Sequence, residues 1–457
     1  MISRRGLLKG VAAAAVTAGH VRTAEAAAAR PPNIVLFLAD DLRWDVLGAA
    51  GDPAAITPHI DRIASAGILF SRSRVTTSIC PVSRASIWTG QYARRHGIHD
   101  FSKPMTEALF AETFPAALHA AGYHTGFIGK YGIGEAIPAG QFDFLRAFEG
   151  QGTYKQPDPN GGWRHLSAVQ AEQSLEFLSQ RPKDTPFFLQ VSFKAPHAEP
   201  PDFIYDPADA SLFANRTFER FYRRGEEDFS RLAEAFRAEN LGRDQWQERF
   251  EKLGPDEAIR GYYRLVTGLD RAIGRIMERI EGQGETSNTV VLFTSDNGLM
   301  LGEHGLSGKW FGFDTSIRVP LLFADLRQPL REGRRSDVMA LNIDVAPTLL
   351  TFAGLRAHPR MQGLNLSKAV AAVPILPERG SFFYEHLLDH PRLPRSEGVI
   401  SGKYKYLHVF SPRVDYEQLF DLDLDPDERR NLAGQIGFAD ILQALRDMTR
   451  RLAVELA

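Results

Sequence analysis

The sequence predicts an α/β protein: a large mixed, mostly parallel sheet sandwiched by helices, followed by a smaller C-terminal antiparallel sheet plus a helix. Three observations predict this. Continuous apolar runs such as "NIVLFLADD" (33–41) and "TVVLFTSDNG" (289–298) suit strands buried on both faces. Helical patterns lie between such runs, which fits crossover connections. After about residue 395 the pattern changes to paired strands, "GVISGKYKYLHVF" and "YEQLFDLDLDPDERRNLAG", and then to one last helix.

Along the chain, "SRRGLLKG" places Arg4 and Arg5 ahead of the weakly apolar "GVAAAAVTAG", and "AEAAAA" offers small-residue cleavage sites. Residues 1–30 are expected to be a cleaved twin-arginine-type signal, sending the protein to the periplasm or outside the cell through the twin-arginine export machinery. The first strand, 33–41, ends in Asp40 and Asp41. Next, "CPVSRASIWTG" reads as a helix, with Pro81 suited to its first turn. "TFPAALHAAG" is a helix, and "HTGFIGKYG" a short strand delivering Lys130. A further helix, "LSAVQAEQSLEFLSQR", leads into the strand "PFFLQVSFKAPH", which carries Lys194 and His197. Residues 199–255, rich in charge and aromatics, are an excursion that either walls a pocket or is a solvated insertion. The long helix "IRGYYRLVTGLDRAIGRIMERIEG" precedes the strand that ends in Asp296 and Asn297. The pattern weakens near 355–380, so a main domain over 31–365 and a C-terminal subdomain over 366–457 are expected.

Composition narrows the function. Hydrophobic content of 44% and charged content of 24% are those of a soluble globular protein. A net charge of −2 without a basic stripe argues against a nucleic-acid partner. No apolar run beyond the N-terminus approaches the roughly 20 residues of a stable membrane span.

In open α/β sheets, ligands gather beyond the carboxyl ends of the strands. Two strands distant in sequence would therefore bring Asp40, Asp41, Asp296 and Asn297 to one edge. These are hard oxygen donors, suited to Ca2+ or Mg2+ and not to zinc. Cys80, the single cysteine, has no disulfide partner within the chain. At a helix N-terminus its thiol pKa is expected to fall, with a buried structural thiol as the other reading. Arg84, one turn on, would hold an anionic group at position 80.

The chain resembles the sulfatase family. "CPVSRASIWTG" is similar to the family's Cys-x-Pro-Ser-Arg motif and the Ala-Ser-x-x-Thr-Gly run after it, with Val82 at the third position and the proline displaced to Pro81. "LADDLRWDVLGAAG", "TPHIDRIASAGILF", "APH", "TSDNGLMLGEHGLSGKW", "RVPLLF" and "NIDVAPTLLTFAG" follow the family's usual order across nearly the whole mature chain.

The resemblance implies that Cys80 becomes formylglycine through a formylglycine-generating enzyme. It implies that Asp40, Asp41, Asp296 and Asn297, with residue 80, hold one divalent cation, Ca2+ being favoured over Mg2+. Arg84 would steady the nucleophile, while Lys130, His197 and Lys309 contact the sulfate, one of the last two protonating the leaving oxygen. The activity implied is hydrolysis of a sulfate ester, by pattern that of a sulfated carbohydrate. Where many family members have "GKWH", this chain has "GKYG", with Gly132 in the histidine's place. His304 and His124 are candidates by type for its role, and both are equally open to structural roles.

Weaker signals are Arg95 and His96, either at the pocket or at a solvated helix end, and Lys194 at a strand end. Asp270 is expected in a structural ion pair and Asp344 as a helix cap. Trp310 and Phe311 suit either a sugar pocket or the core. The alternatives are a phosphate or phosphonate ester hydrolase on the same scaffold, and a non-catalytic sulfated-glycan-binding protein.

Overall fold

The computed structural model describes residues 30–457, apart from 138–139, 239, 331, 371–378 and 413. The expected export signal lies outside the described residues. Among them, no helix is long and apolar enough to cross a membrane.

Eight strands form the main sheet: β1 (Asn33–Asp40), β2 (Ile68–Arg74), β3 (His124–Lys130), β4 (Phe144–Phe148), β5 (Phe187–Pro196), β6 (Thr289–Ser295), β7 (Leu321–Asp325) and β8 (Arg334–Leu341). Their order is β8-β2-β7-β6-β1-β5-β3-β4. All pairings are parallel except the two made by β7, which runs against both β6 and β2. The sheet is thus mixed and mostly parallel, as the apolar runs indicate.

The apolar runs are continuous because both faces are covered. On β1, Val35, Phe37 and Ala39 join one core with the helices Pro58–Ala66, Leu166–Gln180 and Pro255–Gly282. Ile34, Leu36 and Leu38 alternate into a second core with the helices Cys80–Thr89, Phe114–Ala120 and Val345–Phe352. A strand with a period of two therefore reads as uniformly apolar. Beyond it, β9 (Ser381–His386), β10 (Arg395–Ser401), β11 (Tyr404–Ser411) and β12 (Val414–Asp421) form an antiparallel sheet backed by the helix Ala439–Glu455.

This topology positions the site. The strands β6, β1, β5 and β3 are neighbours and mutually parallel. Their carboxyl ends, which lead into Asp296, Asp41, His197 and Lys130, therefore meet on one edge. Register brings Ala39 opposite Ser295 and Asp40 opposite Pro196.

Candidate active site

At this edge the backbone turns sharply after β1. Asp41 adopts φ 66°, a left-handed conformation uncommon for a residue other than glycine. Neighbours hold it there: Tyr262 donates its hydroxyl proton to the Asp41 carbonyl at 2.8 Å, and Leu42 N donates to Ser295 Oγ at 2.9 Å. Asp40 and Asp41 can then both turn inward, and both are buried. From β6, Asp296 accepts from Asp41 N at 3.2 Å, and Asn297 Nδ2 donates to Asp41 Oδ1 at 2.5 Å.

The helix Cys80–Thr89 supplies the next two groups, Cys80 in its first turn and Arg84 one turn on. Cys80 Sγ lies 3.3 Å from Asp40 Oδ1 and 3.0 Å from Lys309 Nζ. Arg84 Nε donates to Asp296 Oδ2 at 2.8 Å and Nη1 to the Lys130 carbonyl at 2.7 Å. Lys130 pairs with Asp40 and donates to Gln151 Oε1 at 2.7 Å. Lys309 follows the small hairpin of Met300–Leu301 with Ser307–Gly308 and reaches Asp41 Oδ1 at 2.5 Å. His197 Nδ1 donates to the Ala198 carbonyl at 2.5 Å, which turns Nε2 toward Asp41 Oδ2 at 3.7 Å.

The charges of this cluster are strongly coupled. Burial works to raise the Asp40 pKa, yet Lys130, His197, Arg84 and Lys309 hold it well below the usual carboxylate range. Burial, and then Asp40, push Asp296 up to about 6; burial also raises Asp41. Burial and Lys309 hold His197 well below its ordinary value, so it is neutral at pH 7. Lys309 keeps its proton, since Asp41 and its neighbours outweigh the cost of burying it.

One sequence expectation is overturned. The Cys80 thiol is pushed up to about 12, chiefly by burial and then by Asp40, against the smaller pull of Lys130 and Lys309. The N-terminal position in the helix does not make it a thiolate: removing water and adding a carboxylate at 3.3 Å outweigh the helix dipole.

The donor set can hold a metal ion. The carboxylates of Asp40 and Asp41, the Cys80 sulfur and a His197 nitrogen all have ligating atoms within 4.8 Å of one another. Asn297 Oδ1 is buried with no hydrogen-bond partner among the described residues, beside the buried carboxylates of Asp40, Asp41 and Asp296. A cation bound here would satisfy that oxygen.

The other sequence candidates lie elsewhere. His124 begins β3 and Lys130 ends it, so about 20 Å of strand separates them. His124 stacks on Phe177. His304 stacks on Phe313 at 4.1 Å, is pushed down to about 4 by burial, and faces Asp228 and Asp425; the structure does not bring it into the cluster. His96 bonds Ser86 Oγ, and Arg95 reaches carbonyls of the C-terminus. Among the described residues Asp270 makes no ion pair; it accepts from His59 N and Ile60 N, capping the helix Pro58–Ala66 from outside. Asp344 accepts from Leu341 N and Leu364 N and pairs with Arg379. Phe311 packs in the core against Phe236, whereas Trp310 lines the cleft above the cluster.

That cleft, about 370 Å³, opens over Asp41, His197 and Lys309 and is walled by Gln151, Lys194, Gln245, Arg249 and Trp310. Residues 199–255 therefore do wall a pocket. The sequence reading missed Gln151 and Arg249, which no motif marks: Gln151 lies in an irregular loop and Arg249 in a charge-rich helix.

Gly132 explains its own departure from "GKWH". It adopts φ 68°, and a Cβ there would stand 3.1 Å from Arg84 Cδ and 3.3 Å from Lys130 Cε. Gly132→Ala is expected to cost about 1–2 kcal/mol in stability and to weaken turnover, as read by chemical denaturation beside steady-state rates.

Comparison with known proteins supplies the family. Residues 32–355 match the family model described as Sulfatase. This chain belongs to the sulfatase family. Residues 302–455 of this sulfatase also match the model for the N-sulphoglucosamine sulphohydrolase C-terminal region, which spans the antiparallel sheet. The sulfatase is 26% identical to an N-acetylglucosamine-6-O-sulfatase of Bacteroides thetaiotaomicron, over 92% of this chain and 86% of the relative. It is 28% identical to human arylsulfatase A, over 92% and 88%. In fold it is similar to a protein solved with its substrate D-glucosamine-2-N,6-O-disulfate, with TM-score 0.79 and 24% identity over 93% and 98% of the chains. It also resembles the phosphonate monoester hydrolase of Agrobacterium radiobacter, with TM-score 0.75 and 22% identity over 93% and 96%. The sulfatase is a sulfuric ester hydrolase.

Proposed function

We propose that this sulfatase cleaves a sulfate ester carried by a carbohydrate, with residue 80 as the nucleophilic position after conversion of its thiol to formylglycine. The observation that carries the reading is the position of Cys80, within 3.3 Å of both Asp40 and Lys309, the latter a residue that lines the cleft. Asp40, Asp41, Asp296 and Asn297 would hold the cation. Bound there, a hard divalent cation and an aldehyde hydrate at position 80 would supply a polarised sulfate and a nucleophilic hydroxyl.

The remaining side chains divide the work. Sulfuryl transfer spreads negative charge over equatorial oxygens, and fixed cations stabilise that charge without reorganising. Lys130 and Lys309 are such cations, buried and already oriented by Asp40 and Asp41. Arg84, fixed by Asp296 and the Lys130 carbonyl, orients position 80. His197 is neutral with its Nδ1–H on the Ala198 carbonyl, so Nε2 can accept a proton from the attacking hydroxyl, while Lys309, which keeps its proton, can supply one to the leaving oxygen. The net change is ester plus water to alcohol plus hydrogen sulfate. Carbohydrate is favoured by the relatives named as N-acetylglucosamine sulfatases and by Gln151, Gln245 and the Trp310 ring in the cleft wall, groups that suit hydroxyls and a sugar face.

Similarity in fold to phosphonate monoester hydrolases supports a second reading, a phosphate or phosphonate ester substrate. Rates on paired sulfate, phosphate and phosphonate esters of one alcohol decide between them. The sulfate ester is expected to be turned over fastest, and a strong phosphonate or phosphate preference would sink the first reading. Mass spectrometry of the peptide spanning residue 80, isolated from the native host, tests the nucleophile; an unmodified thiol throughout counts against it.

A further inference from the structure

The cleft contains two buried cations that the proposed chemistry does not use. Arg249 is 5% exposed, and among the described residues it makes no ion pair, Asp41, Glu248 and Asp202 acting on it only from longer range. Neutral groups hold it: Nε donates to the Pro201 carbonyl at 3.2 Å, Nη1 bonds Ser307 Oγ, and the guanidinium lies over the Phe203 ring at 4.7 Å. Lys194, 1% exposed, donates to the Gln151 carbonyl at 2.9 Å and lies over the Tyr154 ring at 5.0 Å, also without an ion pair. The acids that line the same cleft are engaged elsewhere, Asp41 with Lys309 and Glu199 with Tyr154 N.

A buried charge with no counter-charge is costly. Burial accordingly pulls the Arg249 guanidinium down to about 10 and Lys194 down to about 8. The cost is incurred at the mouth of a cleft that already has an anion-binding floor. Arg249 and Gln245 are four residues apart on the helix Leu241–Leu253, so they present one face to this cleft. Gln245 Oε1 accepts from Trp310 Nε1 at 2.8 Å, which braces that wall.

We infer that Arg249, with Lys194 opposite the same cleft space, is a specificity-determining residue that receives a second anionic substituent of the substrate, a carboxylate or a further sulfate beside the scissile one. This inference rests on the sulfate-ester reading above. A guanidinium suits either group, because its paired N–H donors match two oxygens.

The test compares three substrates on the metal-loaded, full-length enzyme. They are a monosulfated sugar, its disulfated counterpart, and a disaccharide in which the same monosulfated sugar adjoins a uronic acid. Wild type is expected to favour at least one of the two doubly anionic substrates by roughly 10- to 100-fold in kcat/KM, mostly through KM. The favoured one tells sulfate from carboxylate. Arg249→Gln is expected to remove that preference while changing the monosulfated rate less than about 3-fold, and Arg249→Lys to keep part of it. Equal wild-type rates on all three substrates, or an equal loss on all three in the variant, would overturn the inference.

Failure of the sulfate-ester reading is distinguishable, since wild type would then turn over none of the three. Calorimetric binding of the same sugars still reads Arg249 in that case. Tighter binding of a doubly anionic sugar by wild type than by Arg249→Gln supports the inference, and equal binding overturns it.

Discussion

Replacing Cys80 by alanine is expected to lower kcat/KM on a sulfate ester by on the order of 10⁴-fold or more while the protein stays folded. The side chain lost is small. Its thiol is protonated, and it contacts Asp40 and Lys309 without being the sole partner of either, since Asp40 keeps Lys130 and Lys309 keeps Asp41. Stability should therefore fall by only about 1 kcal/mol, as for a modest core truncation. Cys80→Ser is the sharper control, because it retains an oxygen nucleophile without an aldehyde. Steady-state rates and thermal melts recorded on the same preparations check both. Activity retained in the alanine variant would place the nucleophile elsewhere.

Arg84→Met is expected to be damaging in a different way, lowering stability by about 3–5 kcal/mol as well as abolishing measurable turnover. Arg84 is 2% exposed; its Nε neutralises Asp296, and Nη2 lies 3.7 Å from Asp40. Methionine fills much of the volume but leaves Asp296 buried and unpaired. That carboxylate is already pushed to about 6 by burial and by Asp40, and losing Arg84 drives it further toward the protonated form. A protonated Asp296 is a poor cation ligand, so elemental analysis should show less bound metal than in wild type. Arg84→Lys restores the charge but cannot donate to Asp296 and to the Lys130 carbonyl from one rigid plane, so it should recover stability better than rate.

Much of this was legible in the sequence because the informative residues sit at strand ends. Asp40–Asp41 and Asp296–Asn297 each follow an uninterrupted apolar run, and a buried parallel strand has one functional end. Lys130 and His197 were legible on the same ground, and Cys80 and Arg84 by their one-turn spacing. What stayed hidden depends on tertiary context. The Cys80 thiol looked activated by its helix, but desolvation by layers far away in sequence dominates its titration. His304 and His124 qualified by residue type, yet one stacks on Phe313 and the other occupies the wrong end of β3. Arg249 carried no signal, since a charged residue in a charge-rich helix looks solvated until the fold shows it buried without a counter-ion.

The burial of the helix Cys80–Thr89 has a consequence for the order of events in the cell. All ten of its residues are buried, and Cys80 itself is 1% exposed. A small ester can enter the cleft, but a second protein that must grip the residues on both sides of Cys80 cannot. Any enzyme that alters this residue after reading its neighbours has to meet the chain while it is still extended, before the helices Phe114–Ala120 and Val345–Phe352 pack against this one. The window for any such modification is thus set by the chain's own folding clock. A molecule that folds first is expected to remain permanently a thiol.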